Sequence, residues 1–185
     1  MAVTPAGTPY VESSDNVADY PGVSLALANH IDGLDGGKVL QVVSVTKVDT
    51  FITSSGSYVD ITGLTATITP SSTSSKILVL TKVSVNTAAA NIVSIQILRG
   101  ATAVGGGTAV GIRGSATSSF YGAASGTGSL DGNYLDSPAS TSAQTYKIQC
   151  MTSGPTTRIN TTYNDSNSTL VTRTSSTITL MEISA

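Results

Sequence analysis

Apolar and polar residues alternate one by one along most of the chain from position 38 onward. Between 64 and 69, for example, Leu64, Ala66 and Ile68 are separated by threonines. Because successive side chains of a strand point to opposite faces, this period of two predicts half-buried β-strands. The predicted strands are 39–48, 57–64, 64–69, 77–85, 93–97, 118–123, 129–135, 144–152, 158–163 and 177–183. Short strands without a βαβ rhythm predict an all-β, antiparallel, jelly-roll-like β-sandwich.

A different pattern precedes the strands. Val23, Leu27, Ile31 and Leu34 recur at spacings of four, four and three, which places them along one stripe of a short α-helix. Residues 1–22 hold half of the six prolines and show no periodicity, so we expect an extended N-terminal arm. The predicted organisation is an arm and helix over 1–36 and a sandwich over 37–185. A helix this short must dock, either on its own domain or on a partner, and we favour the partner.

Charge is sparse and unevenly distributed. Residues 1–35 carry five acids and no base, a formal charge of −5, whereas residues 36–185 carry +3. The nine basic residues stand singly, without the basic run or aromatic platform of a nucleic-acid-binding surface, so we expect no nucleic acid partner. No apolar stretch approaches the length that crosses a bilayer, so we expect no membrane insertion. The first residues lack a secretion signal, and we expect synthesis and folding in a cytoplasm.

The sequence contains few residues of the types that catalyse reactions or bind metals, with one histidine and one cysteine. His30 falls inside the predicted helix, and Cys150 falls on the apolar side of a predicted strand, where we expect a buried thiol. One histidine and one cysteine cannot supply a zinc site or a catalytic triad. Asp131 and Asp136 are the only carboxylates considered for glycoside cleavage, and their neighbours make them more typical of turns. We therefore expect no catalytic residue, no metal and no cofactor.

Serine and threonine fill 55 of the 185 positions, and the glycines of 100–128 lack the lysine and following helix of a phosphate cradle. That stretch predicts long loops or short irregular strands.

In the last strand, Ile178 and Leu180 lie on one side, and Met181 and Ile183 lie on the other. Two apolar faces predict a strand covered on both sides, either by a neighbouring subunit or as a central strand of one monomer.

Five segments resemble a β-domain of virion proteins in tailed bacteriophages, of the kind described as tail-fibre or structural proteins. They are 37–43 (GKVLQVV), 68–79 (ITPSSTSSKILV), 134–138 (YLDSP), 145–148 (TYKI) and 178–183 (ITLMEI). The resemblance covers about residues 37–185 and carries no catalytic residue. It implies a virion surface protein that is trimeric and jelly-roll-like, made and folded in the cytoplasm of a bacterial host.

This resemblance leads to a functional expectation. We expect a non-enzymatic homotrimer that is attached to capsid, portal, adaptor or tail proteins through its N-terminal arm, as a fibre that contacts a host glycan or receptor. A capsid decoration protein is the alternative, and a host-polysaccharide-degrading enzyme or a cellular lectin is the rival from another class. The expected anchoring residues are Tyr10, Tyr20, Pro21, Val23, Leu27 and Ile31. The expected subunit-interface residues are Ile178, Leu180, Met181 and Ile183.

Overall fold

A computed structural model describes residues 2–3, 9–10 and 37–185 of the chain. Two short strands near the N-terminus, β1 (Ala2–Val3) and β2 (Pro9–Tyr10), pair antiparallel with each other. Tyr10 therefore belongs to a strand pair, whereas the analysis of the sequence predicted no periodic structure there. The predicted helix, which contains His30, lies outside the described residues. So do the other expected anchoring residues, Tyr20, Pro21, Val23, Leu27 and Ile31.

Eleven further strands form the body of the protein. They are β3 (Val39–Lys47), β4 (Phe51–Thr53), β5 (Val59–Ile68), β6 (Lys76–Thr87), β7 (Asn91–Arg99), β8 (Thr102–Val104), β9 (Ser118–Gly122), β10 (Thr127–Asp136), β11 (Gln144–Thr152), β12 (Thr157–Ile159) and β13 (Ser176–Ile183). Every pairing among them is antiparallel. The predicted fold class, an antiparallel jelly-roll-like β-sandwich, is confirmed.

The strands divide into two sheets. In sheet 1, β6 pairs with β13 on one side and with β10 on the other, and β3 pairs with the far side of β13, which gives the order β3-β13-β6-β10. Strands β12 and β4 continue this sheet beside the end of β6. In sheet 2 the order is β5-β11-β7, and both β8 and β9 pair with the free side of β7.

The core lies between the two sheets and follows the predicted alternation. Inward-facing residues of β6, β7 and β11 are buried, while their sequence neighbours turn away. Ile178 and Leu180 of β13 face the same core and are completely buried. The buried apolar residues are Ile61, Leu64, Ala66, Ile68, Ile77, Val79, Val83, Val85, Val93, Ile95, Ile97, Leu130, Tyr146, Ile148, Cys150, Ile159, Ile178 and Leu180.

A β-bulge joins two predicted strands into one. Ile61 and Leu64 are both buried although they lie three positions apart, which strict alternation does not allow. Gly63 has a φ of +87°, and the pairing with β11 slips at this point between Lys147 and Gln149. Because glycine has no Cβ, it adopts this conformation without the usual penalty. Between the pairs Lys147↔Thr65 and Gln149↔Asp60, β5 has three more residues than β11, an odd number that restores the inward phase, so 57–64 and 64–69 form the single strand β5.

The predicted strand 158–163 is wrong beyond Ile159. Asn160 adopts a left-handed φ of 62°, which asparagine tolerates better than most residues. Its buried amide nitrogen donates to the carbonyl oxygens of Lys47 (2.9 Å) and Asp49 (3.0 Å), and its oxygen accepts from the Ser176 hydroxyl (2.6 Å). The chain turns here because Asn160 fastens the junction of β3 and β4 to the start of β13.

Candidate functional site

One buried charge cluster involves Asp136 at the end of β10. Its Oδ2 accepts hydrogen bonds from the Arg99 guanidinium (2.6 Å) and from the Tyr146 hydroxyl (2.7 Å), and its Oδ1 accepts from the Ser137 amide (2.9 Å). Burial, reinforced by the Asp136 carboxylate, raises the pKa of Tyr146. Both carboxylate oxygens are engaged by groups of the fold, so this cluster joins β7, β10 and β11 and offers no free acid or base.

A second buried carboxylate, Glu182, lies at the same end of sheet 1, since Asp136 and Glu182 both pair with Ile77 of β6. It lies on the inner face of β13 and accepts hydrogen bonds from the Ser71 amide (2.7 Å), the Ser71 hydroxyl (2.6 Å) and the Gln41 side-chain amide. Burial raises the pKa of this carboxyl, but the hydrogen bonds from Gln41 and Ser71 outweigh it and hold the pKa at about 2. Glu182 therefore stays ionised and fixes the turn between β5 and β6.

The Glu182→Gln variant is expected to lose about 2 kcal/mol of unfolding free energy at neutral pH, because an amide nitrogen would face a donor. The depressed pKa also sets the pH dependence. The ionised Glu182 side chain stabilises the fold fully above pH 4.5, the ordinary pKa of a glutamate, and this stabilisation disappears as the pH falls towards its folded-state pKa of about 2. Urea unfolding between pH 7 and pH 2 measures this. The wild-type protein should lose more stability over that interval than Glu182→Gln, and equal losses would contradict the assignment.

The two aspartates considered for glycoside cleavage do not form a pair. They lie five positions apart on β10 and therefore on opposite faces. Asp136 is buried within the sandwich, whereas Asp131 is exposed on the outer face and accepts a hydrogen bond from the Ser129 hydroxyl (2.8 Å). Two carboxylates that flank a glycosidic bond must face the same cavity, and these two do not.

Cys150 is completely buried on the inner face of β11, which confirms the expected buried thiol. Burial raises the pKa of this thiol to about 12. The reactive thiolate is therefore not formed at physiological pH. Cys150 acts as a small apolar core residue.

Within residues 2–3, 9–10 and 37–185, no three histidine, cysteine or carboxylate side chains gather closely enough to hold a metal ion. Among these same residues, no helix has the length and apolarity to cross a membrane.

An open depression of about 620 Å³ lies on sheet 1 and involves mainly β6, β10 and β13. Its charged side chains are Lys82 and Asp131, which are direct cross-strand partners. The other lining residues are Leu80, Thr81, Gly105, Thr117, Gly132, Asn133, Thr177 and Thr179. No aromatic side chain of the described residues lines it, so it lacks the flat apolar platform on which a sugar ring stacks.

The outer face of sheet 2 is mostly polar, with Ile92 and Tyr121 as an exposed apolar pair at its β7/β9 end, and its polar groups satisfy their own hydrogen bonds. Asp60 accepts from the Lys147 ammonium (2.9 Å) and from the Gln149 amide (2.6 Å), and Gln149 in turn accepts from Gln96 (2.7 Å). Two hydroxyl pairs continue this cross-strand network: Thr67 with Thr145 and Ser94 with Ser119. A face whose polar groups already pair with one another gains little from a partner.

The outer face of sheet 1 is different because an apolar row crosses it. Val42, Met181, Leu78 and Leu135 are direct neighbours on β3, β13, β6 and β10, and we call these four residues the apolar row. Val42 and Leu135, at the two ends, are 54% and 48% exposed. Leu78 and Met181 are partly exposed between them. A contiguous exposed apolar strip that is absent from the other sheet marks an interaction surface.

The expected interface residues are split by this geometry. Ile178 and Leu180 are inside the core of their own subunit, so their side chains are not available to a neighbour. Met181 lies in the apolar row, and Ile183 lies beside it on the same outer face, partly exposed. Strand β13 lies between β3 and β6, as the single-monomer alternative proposed.

Three members of the row were not predicted from the sequence: Val42, Leu78 and Leu135. A signal was present, because the run Ile77-Leu78-Val79-Leu80 places apolar residues at both phases of a strand. Only one phase can face the core of a two-layer sandwich with an open outer face. The other phase, Leu78 and Leu80, therefore had to lie outside.

No protein-family model matches the sequence, and no curated protein matches it. Solved structures of infectious bursal disease virus are among those that are similar to it. A chain in the structure of the Gx strain aligns at 16% identity with a TM-score of 0.39, over 79% of this chain and 38% of that chain. A VP2 subviral particle of this virus aligns at 12% identity and a TM-score of 0.37, over 78% and 38%. This chain thus spans well under half of the length of those chains.

Proposed function

We propose that this protein is a non-enzymatic bacteriophage virion structural protein, a homotrimeric fibre or appendage. Residues 1–36 attach it to the particle, and the sandwich 37–185 faces outward. Its partners are further copies of itself and capsid, portal, adaptor or tail proteins. The five segments that resemble virion β-domains of tailed phages support the assignment to a phage particle.

One structural observation carries the non-enzymatic part of the proposal. The buried ionisable groups of the described residues serve the fold: Asp136 is held by Arg99 and Tyr146, and Glu182 by Ser71 and Gln41. A catalytic group needs a cavity and a free position for the substrate, and these groups have neither. The exposed surface of the sandwich consists mainly of hydroxyl groups, a few charges and the apolar row.

Two placements on the particle follow from different surfaces. A fibre that contacts a host glycan is favoured by exposed aromatic rings, of which Tyr121 on β9 is 70% exposed. A capsid decoration protein, which needs no sugar site, is favoured by the open depression, because no aromatic side chain of the described residues lines it. The fibre remains the leading proposal because the resemblance is to fibre-like proteins.

Removal of residues 1–36 tests the attachment. Every core residue of the described part of the chain lies within 37–185, so the shortened protein should stay folded and soluble. It should be absent from purified particles that incorporate the full-length protein. Equal incorporation of both proteins would refute attachment through the N-terminal segment.

The two placements predict different particle behaviour. If the protein is a fibre, the purified protein should inhibit phage adsorption in competition, and particles without it should adsorb poorly. If it is a decoration protein, particles without it should adsorb normally but release DNA at a lower temperature.

The rival assignment to a polysaccharide-degrading enzyme requires sugar release from the host envelope that the Asp131→Asn and Asp136→Asn variants lack. Such release would overturn the proposal.

A further inference from the structure

We propose that the outer face of sheet 1 is the surface through which copies of this chain associate, with the β3/β13 half of one copy seated on the β6/β10 half of the next. The inference rests on the self-association in the proposed function and adds the surface that mediates it. The occupant of the apolar row is thus a second copy of the chain.

The contrast between the two outer faces is the first argument. On the outer face of sheet 2, the Asp60, Lys147 and Gln149 network covers β5 and β11, and the exposed apolar residues Ile92 and Tyr121 form one cross-strand pair at the β7/β9 end. Sheet 1 instead leaves Val42 and Leu135 about half exposed at the ends of a continuous apolar row. Burial of the row would remove this apolar area from water, which is the main driving force of association.

The charges on this face lie in one half only, so two copies can meet through unlike halves without opposing like charges. Every charged outward-facing residue on the paired parts of these four strands lies in the β6/β10 half: Lys76, Lys82 and Asp131. The β3/β13 half presents Ser44, Thr46, Thr177 and Thr179 at the same heights. When one half meets the other, apolar residues face apolar residues, and hydroxyls face Lys82 and Asp131. No like charges meet.

Alternative contacts between copies leave the row uncovered. If the β6/β10 halves of two copies met each other, Lys82 could pair with the other Asp131, but Val42 and Met181 would stay in water. If the β3/β13 halves met, Leu135 and Leu78 would stay in water. Only the contact between unlike halves covers all four residues. Formed twice between two copies, such a contact gives a two-fold dimer; repeated from one copy to the next, it closes into a ring, as in a trimer.

The Val42→Asp variant of the full-length protein tests the surface. A buried, unpaired carboxylate in the contact should weaken association by at least about 30-fold, which sedimentation velocity or light scattering measures over a range of concentrations. Ile92→Asp is the matched control, because Ile92 is also a β-branched strand residue, is 45% exposed and lies on the outer face of sheet 2. Thermal unfolding monitors the fold of both variants.

Each outcome of this comparison decides the inference. Selective loss of oligomer in Val42→Asp supports it. A wild-type protein that is monomeric at all concentrations overturns the inference. The apolar row would then be a contact for residues 11–36 or for another virion protein. An unchanged oligomer in Val42→Asp, or an equal loss in Ile92→Asp, also overturns it because the contact would then lie elsewhere.

Disulfide cross-linking tests which halves meet. Val42 and Leu135 of one subunit lie three strand spacings apart, about 14 Å, too far for an internal disulfide. A Val42→Cys, Leu135→Cys double variant should therefore form covalent oligomers upon oxidation, whereas each single variant should not, and the buried Cys150 should stay unreacted. A covalent trimer would support both the surface and the proposed trimer. A covalent dimer alone would support the surface but refute the trimer, and an uncross-linked double variant would refute the surface.

Discussion

Leu180→Ala is expected to lower the free energy of unfolding by about 3 kcal/mol, whereas Met181→Ala, one position further, should lower it by less than about 1 kcal/mol. Leu180 is completely buried on the inner face of β13, so its truncation leaves a cavity between the sheets. Met181 lies on the outer face, where solvent fills the space that truncation opens. Urea denaturation of both variants, with the unfolding free energy as readout, measures the difference.

These neighbouring substitutions also separate the core from the proposed contact between copies. Met181→Ala should make the oligomer weaker, and its stability should then depend more strongly on protein concentration. Leu180→Ala should lower stability at every concentration. Similar losses in the two variants would contradict the assignment of β13 faces described above.

Asp136→Ala is expected to cost about 3 kcal/mol of unfolding free energy, because it leaves the buried Tyr146 hydroxyl and the Arg99 guanidinium without their acceptor. Asp131→Ala is the matched control, since it removes the same side chain from the same strand on the exposed face. Its effect should lie within about 0.5 kcal/mol. Chemical denaturation gives both values.

A double-mutant cycle refines this prediction. Tyr146→Phe alone should cost about 1 kcal/mol, and much of that cost should vanish when Asp136 is already alanine. Independent, additive effects would show that the hydroxyl and the carboxylate do not act together. The sandwich would then owe its stability at this end to packing around the Tyr146 ring alone.

The faces of the strands could be predicted because alternation is a local property. Val79 and Val83, for instance, show their inward phase in the sequence without any knowledge of their neighbours. The pairing order could not be predicted, because β10 lies beside β6 and β13 lies between β3 and β6 through contacts between distant positions. The bulge at Gly63 was missed for a related reason: one glycine changes the phase, and the sequence alone does not tell whether a strand ends or continues.

The candidate site was harder to predict than the fold. Asp136 shares the inward phase of Leu130, and that parity was a usable signal that it is buried. Its partner Arg99 lies 37 positions away, so the pairing needed the structure. The apolar row likewise depends on which strands lie side by side, because Val42 and Leu135 become members of one surface only when β13 and β6 separate them.

The first and last residues of the sandwich domain lie side by side, and this affects how the domain responds to a pulling force. The Gly37 amide donates to the Ser184 carbonyl (3.0 Å), and the Ser184 amide donates to the Lys38 carbonyl (2.9 Å), at the open end of the antiparallel β3 and β13 pair. Tension between these two positions would unzip the ladder one hydrogen bond at a time, which needs little force. The same strands pulled from opposite ends would have to break many bonds together. If the protein is attached to a particle as proposed, attachment through only one of the two positions would avoid this weak pulling direction.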